Sequence, residues 1–306
     1  MQQQTFLGIE IGGTKLQVVC GYADGTVLAT HRYAVEPYAG ATGIRNNIAA
    51  AVQQYAPGEI AAVGVGFGGP VNRNTGTVET SFHVEGWSGF PLGEWLALIA
   101  EAPVLVENDA NVAALGEAAF GAGRGHRSVL YVTLGSGVGG GLVVDGQLYH
   151  GEVPGELEIG HIQMDRNGST LQDVCSGWAV DAKIRAAVAA HPESTLARLV
   201  GQNRSSEALF LRAALDAGDP VAQALWEETT DDLAFGLSHA VHLLHPGVLV
   251  LGGGLSFMGD ALEEPVRRKL PRYLMKAFAP GPEIKLSGLK EKAVPAGALV
   301  LSSQHL

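Results

Sequence analysis

The residues best suited to handling phosphate come at the start of the chain. Leu7-Gly8-Ile9-Glu10-Ile11-Gly12-Gly13-Thr14-Lys15 is an apolar run that meets an acid, two glycines, a hydroxyl and an ammonium. Gly12 and Gly13 have no Cβ, so their backbone N–H groups can approach an oxyanion closely. Thr14 adds a hydroxyl donor and Lys15 a charge. Glu10 sits where a carboxylate could hold a metal ion or its bound water. A plain hairpin with a Gly-Gly turn and a salt-bridged lysine would use the same residues, so this segment does not decide by itself. It is not a P-loop, because the spacing and the following helix of that motif are missing.

Three further stretches put polar or glycine-rich loops after apolar runs. Val104-Leu105-Val106 leads into Glu107-Asn108-Asp109-Ala110-Asn111. Polar side chains just past a buried parallel strand, at a helix N-terminus, sit where α/β sheets bind ligands. Asn108 or Asp109 alone reads equally well as a simple N-cap. Val63-Gly64-Val65-Gly66-Phe67 runs into Gly68-Gly69-Pro70-Val71, and Val248-Leu249-Val250-Leu251 into Gly252-Gly253-Gly254. The latter turn suits an adenosine phosphate surface or is a flexible connection. A loop-rich region, 151–176, carries Glu156, Glu158, His161 and Asp165. Without other information Glu158 and His161 read as an exposed acid and imidazole.

These residues need elements to hold them. Residues 6–32 read as three strands joined by tight turns, and 41–56 carry helical spacing at Ile44, Ile48, Ala51, Val52 and Tyr55. Ile60–Phe67 reads as a buried strand, 92–100 as a short helix and 110–119 as a helix. The order strand, glycine hairpin, strand, Asp-Gly turn, strand then recurs over 128–149, with Leu134-Gly135-Ser136-Gly137 in the place of the first glycine turn. This pattern-level duplication points to a two-lobed nucleotide binder. Beyond Ser176 helices are expected near 177–190, 206–217, 220–244 and 259–278, with a last helix over 294–302 packing back on the first lobe.

Composition narrows the class. The chain has 306 residues, 46% of them hydrophobic, which is ample for two domains. No apolar run is long enough to span a bilayer and no secretory signal opens the chain, so the cytoplasm is expected. Cys20 and Cys175 cannot form a disulfide framework and lack metal-ligand spacing. A net charge of −11 argues against a nucleic-acid surface and leaves phosphate binding to backbone dipoles and Mg²⁺. The 42 glycines cluster in short loops after strands.

Together these segments resemble the ROK family of sugar kinases and repressors over about Leu7–Ser302. The carriers are Ile11–Lys15, Gly68–Val71, Gly86-Trp87, Asn108–Asn111, Leu134–Gly141, Glu158-Ile159-Gly160-His161, Ser176-Gly177 and Leu251–Leu255. The resemblance implies an α/β, duplicated, two-lobed actin/hexokinase-like ATPase fold with ribonuclease H-like lobes and a central cleft. Residues 1–119 would form the first lobe, with 293–306 returning to it, and 120–292 the second. It implies ATP- and Mg²⁺-dependent phosphorylation of a hexose, glucose first and at the 6-OH. Asp109 matches the general base. Gly12, Gly13, Thr14 and Lys15, with Gly135, Ser136 and Gly137, match the phosphate hairpins, and Gly253 and Gly254 the adenosine loop. Gly69, Asn108, Asp109, Glu158 and His161 match sugar contacts. A homodimer is implied as well.

Three departures from the family pattern stand out. Glu10 replaces the usual Asp. The family's zinc loop of one His and three Cys shrinks to residues 162–170 with no cysteine, so no structural zinc is expected. Gln172 takes the place of an acidic sugar contact, and Gln donates as well as accepts. Phe82 and His83 lie where some relatives contact the sugar. The competing function is a sugar-sensing regulator, although a first strand by Thr5 leaves no room for an N-terminal DNA-binding motif. An ATPase with protein clients is a third reading.

Overall fold

The computed structural model describes residues 3–36, 39–81, 84–153 and 155–304; Phe82 and His83 therefore lie outside the described residues. The chain opens with β1 (Thr5–Ile11), β2 (Lys15–Gly21) and β3 (Val27–Ala34), then α1 (Gly40–Val52) and β4 (Ile60–Phe67). A two-strand ribbon, β5 (Val71–Asn72) and β6 (Thr77–Val78), precedes α2 (Leu92–Ala100), β7 (Val104–Asn108) and α3 (Asp109–Phe120). The first sheet has the order β3-β2-β1-β4-β7. β1 pairs antiparallel with β2 and parallel with β4, and β4 runs parallel with β7.

The two faces of this sheet follow from the period of two in its strands. Leu7, Ile9 and Ile11 face a core with Ile44 and Ile48 of α1 and Leu92 and Leu96 of α2. Phe6 faces the other way, with Val19, Ala62 and Leu299. A sheet covered on both faces needs near-continuous apolar strands, which is what β1 and β4 supply.

The second sheet is built from β8 (Ser128–Leu134), β9 (Val138–Val144), β10 (Gln147–Leu148), β11 (Val248–Gly252) and β12 (Glu283–Leu286), in the order β10-β9-β8-β11-β12. Numbered along the chain, this is the strand order of the first sheet repeated. Between β10 and β11 come α4 (Leu171–Cys175), α5 (Gly177–Ala190), α6 (Thr195–Val200), α7 (Leu211–Asp216) and α8 (Pro220–Leu244). α9 (Asp260–Lys269) precedes β12, and α10 (Ala293–Ser303) closes the chain. Compact packing groups Met1–Tyr131, Gly141–Leu157 and Gly288–Leu306 as one unit and Val132–Gly140 with Glu158–Ser287 as another. No helix among the described residues is long and apolar enough to cross a membrane.

Several elements differ from the sequence reading. The stretch 206–217 divides into a 3₁₀ turn, Glu207–Phe210, and α7, and α6 ahead of it was not expected. The helix expected over 259–278 stops at Lys269, because Pro271 cannot continue it and 3₁₀ turns follow. β12 and the β5–β6 ribbon are too short to carry a periodic signal. The glycines, read as loop residues, also fill element interiors. Gly8 in β1, Gly64 in β4, Gly116 in α3 and Gly297 in α10 lie where a Cβ would meet backbone or side chains of a facing element. At Gly297 it would overlap the Val112 carbonyl oxygen, and at Gly64 the Ala298 carbonyl oxygen. α10 therefore lies backbone against backbone on β1, β4 and α3.

Candidate active site

β1 ends in the first glycine turn, closed by the Gly12 N–H donating to the Lys15 carbonyl at 3.0 Å. Glu10 and Gln17 are direct cross-strand partners. Gln17 Nε2 accordingly donates to Glu10 Oε2 at 2.6 Å, and Lys15 Nζ lies 3.2 Å from Glu10 Oε1. Glu10 is buried. That burial pushes its carboxyl above the ordinary range, against the opposing pull of the Lys15 charge and the Gln17 hydrogen bond. Mg²⁺ is a hard ion that takes one or two carboxylates and completes its shell with phosphate oxygens and water. At Glu10 it would have to displace the Lys15 ammonium from Oε1, since Gln17 holds Oε2.

Parallel β4 delivers Gly68 and Gly69 beside this turn. The Gly68 N–H donates to the Ile11 carbonyl at 2.8 Å. A Cβ at Gly68 would stand 3.4 Å from Asp109 Oδ2, 3.3 Å from the Ile11 carbonyl oxygen and 3.6 Å from Gly12 Cα. The Asp109 carboxylate and the first glycine turn thus meet around one residue without a side chain. Asn108 is the N-cap of α3: its Oδ1 accepts from Ala110 N at 2.9 Å, and its Nδ2 donates to the Gly69 carbonyl at 3.2 Å. The N-cap reading of Asn108 holds, and the cap also fixes the direction in which Asp109 leaves the helix start. The sequence singled out the loop Gly68–Val71 but gave a site role to Gly69 alone, since Gly68 offers only a second glycine in the same loop.

The other unit holds the second glycine turn. The Gly135 N–H donates to the Gly137 carbonyl at 2.9 Å, and the Gly177 N–H to the Gly135 carbonyl at 2.7 Å. Ser136 lies between them at the tip. Gln172 Oε1 accepts from the Val138 N–H at 3.0 Å. The Gln172 acceptor thus fastens α4 to the hairpin. Gly253 (φ 76°) follows β11, and a Cβ there would stand 2.6 Å from the Leu134 carbonyl oxygen, so this turn lies directly on the end of β8. A Cβ at Gly254 would meet nothing within 4 Å, which leaves its backbone open to a ligand. Glu158 and His161 are exposed around a 3₁₀ turn, Ile159–His161. After it the Met164 N–H donates to the Ser169 carbonyl at 2.7 Å, Asp165 Oδ1 accepts from the Asn167 N–H, and a Thr170–Asp173 capping box starts α4.

A polar cluster stands behind Asn108 in the first unit. Glu107 Oε1 accepts from Asn108 N at 2.8 Å and from Asn111 Nδ2 at 3.1 Å. Asn111 Nδ2 also donates to Glu156 Oε1 at 2.7 Å, and His150 Nδ1 lies 3.2 Å from the same oxygen. Arg73 Nη1 and the Gly151 N–H each reach Glu156 Oε2 at 3.2 Å. Burial raises the Glu107 carboxyl above its ordinary range. Burial acts the same way on Glu156, yet hydrogen bonds from His150 and Asn111 hold it below that range. Among the described residues Glu107, His150 and Glu156 are the one group close enough to share a metal ion. Donors already occupy both Glu156 oxygens, so the chain itself closes the cluster. Glu107 and Asn111 carried a signal in their i, i+4 spacing. His150, Glu156 and Arg73 carried none, because Arg73 and Asn111 lie 83 and 45 residues from Glu156 and the short His150–Glu156 spacing follows no helix or strand period.

Comparisons with known proteins place the chain in a family. The sequence profile of the ROK family matches residues 6–305. The chain is 32% identical to a glucokinase of Thermotoga maritima over 100% of this chain and 99% of that protein. It is 33% identical to a glucokinase of Streptomyces coelicolor, over 97% of each. The crystal structure of a ROK family glucokinase from Streptomyces griseus in complex with glucose and AMPPNP superposes with a TM-score of 0.84 at 32% identity, covering 98% of this chain and 99% of that one. The fold is therefore of the actin/hexokinase-like ATPase class, with open sheets, and the chain belongs to the ROK family.

Proposed function

We propose that this carbohydrate kinase transfers the γ-phosphoryl group of ATP to a hexose, glucose first, at the 6-OH. The observation that supports it most is the meeting of the Asp109 carboxylate, Ile11 and Gly12 around Gly68. A base for a hydroxyl proton and a cradle for a phosphate chain belong together in this reaction and in few others. Asp109 accepts the 6-OH proton as that oxygen bonds to the γ-phosphorus. The bond to the β–γ bridging oxygen breaks and ADP leaves. General-base catalysis is worth on the order of 10²–10⁴-fold. Positioning and charge stabilisation supply the rest, because the transition state is loose. Gly13, Thr14, Lys15, Ser136 and Gly137 donate to phosphate oxygens, Gly12 and Gly135 close the two turns with their own N–H groups, and Gly253 and Gly254 border the adenosine. Gly69, Asn108, Glu158, His161 and Gln172 meet sugar hydroxyls. Mg²⁺ held by Glu10 would neutralise charge on the phosphates. A cytoplasmic homodimer is part of this reading.

The test is ADP release with Mg-ATP across hexoses and N-acetylhexosamines, for the wild type and Asp109→Asn. The expected result is glucose-dependent turnover that falls by about 10²–10⁴-fold in the variant. Sugar binding without turnover would point to a sensor, and turnover indifferent to sugar to an ATPase. Either result overturns the proposal.

A further inference from the structure

The cluster behind Asn108 is not used by the chemistry just described, and it reaches the turn that carries Asp109 through Asn108 N and Asn111 Nδ2. The Asn111 amide has two N–H bonds, and it spends one on Glu107 and one on Glu156. Asn111 is 2% exposed, so no water replaces a lost acceptor cheaply. Glu156 is held in turn from its other side. Arg73 spans it and the Gly151 carbonyl, at 3.2 and 2.5 Å, and His150 bridges it to Glu107, at 3.2 and 3.7 Å. Leu157, next in the chain, adopts a left-handed backbone (φ 56°) that a non-glycine residue takes up only when its surroundings impose it.

We propose that Glu156 is a positioning residue for the kinase reaction. Supported by His150 and Arg73, it ties its segment to Asn111 and Glu107 and so fixes the first turn of α3 that presents Asn108 and Asp109. Glu156 acts through Asn111 and touches neither substrate. This inference rests on the kinase reading above. The reacting oxygen must lie within hydrogen-bond reach of Asp109, and a displacement of about 1 Å in such a constellation costs roughly 100-fold in rate. Loss of the Glu156 carboxylate leaves one Asn111 N–H, the Arg73 guanidinium and His150 without their shared acceptor, so the helix start relaxes toward new partners.

The experiment compares the full-length wild type with Glu156→Ala, His150→Ala and His150→Gln. It reads kcat and the KM values for sugar and ATP, with hydrogen exchange over 105–115. Glu156→Ala is expected to lower kcat by about 10–100-fold, leave the KM for ATP unchanged and speed exchange at 107–111 alone. His150→Gln should retain more of kcat than His150→Ala, since its amide can donate to Glu156 where the imidazole does. Unchanged kcat in Glu156→Ala overturns the inference. So does a loss that merely follows the unfolded fraction, with exchange raised throughout. Absence of sugar-dependent turnover in the wild type would instead sink the kinase reading, and exchange at 107–111 would still decide whether the tie exists.

Discussion

At the scale of single residues, Glu10 stands where the family resemblance leads one to expect an aspartate. A longer carboxylate at the end of β1 meets Lys15 across the turn and Gln17 across the strand pair. Glu10→Ala is expected to lose the Mg²⁺-dependent rate with sugar binding little changed, as read by turnover against Mg²⁺ concentration and by calorimetry with sugar. The pH dependence follows from the raised carboxyl. The folded state holds this proton more tightly than the unfolded state does. Ionised Glu10 therefore costs stability at neutral pH, and the cost is relieved as pH falls through its raised folded-state value. On the proposed Mg²⁺ role of Glu10, protonation would compete with the metal over the same window. The apparent Mg²⁺ requirement should thus climb on acidification in the wild type and lose this dependence in Glu10→Gln. Glu156 has the opposite sign: held low by its donors, it contributes stability at neutral pH that disappears on acidification.

At the scale of elements, glycine serves two purposes that substitution separates. Gly297 lets α10 lie on α3 with no side chain between the backbones. Gly297→Ala should destabilise by about 1–3 kcal/mol or more, the range for overpacking a tight core, measured by denaturant unfolding. Gly254 faces open space, so Gly254→Ala should leave stability near the wild-type value and raise the KM for ATP. The reverse pattern would show that the adenosine assignment of this turn is mistaken. The strands and long helices were legible because their apolar periods are regular: Ile60–Phe67 and Val138–Val144 coincide with β4 and β9, and 177–190 and 220–244 with α5 and α8. The region after Lys269 was misread because apolar spacing persists through Pro271 while the backbone cannot remain α-helical.

At the scale of the whole molecule, the duplication read from two glycine hairpins extends to the full sheets, since both have the same strand order. The segment 162–170 bears on metal dependence. The Met164–Ser169 hydrogen bond, the Asp165 turn and the Thr170–Asp173 capping box close it with protein groups. The expectation is that chelators of zinc leave the unfolding midpoint unchanged and that metal analysis finds no stoichiometric zinc. One zinc per chain, or a fall in the midpoint with chelator, would show that another ligand set was overlooked.

The sequence by itself determined the glycine turns and the regular strands and helices, because an apolar run or a turn without Cβ atoms is written in consecutive residues. The fold class and Asp109 as candidate base were legible only through the combination of motifs that resembles the ROK family. Tertiary structure alone decided that Gly68 is the residue around which Asp109 and Gly12 meet. It decided too that Gln172 turns its oxygen to the Val138 N–H, and that Arg73, His150 and Glu156 gather behind Asn108. Most of those relations join residues tens of positions apart. They depend on strand register and on which backbones lie close enough to exclude a side chain, and no local pattern of residue types encodes either.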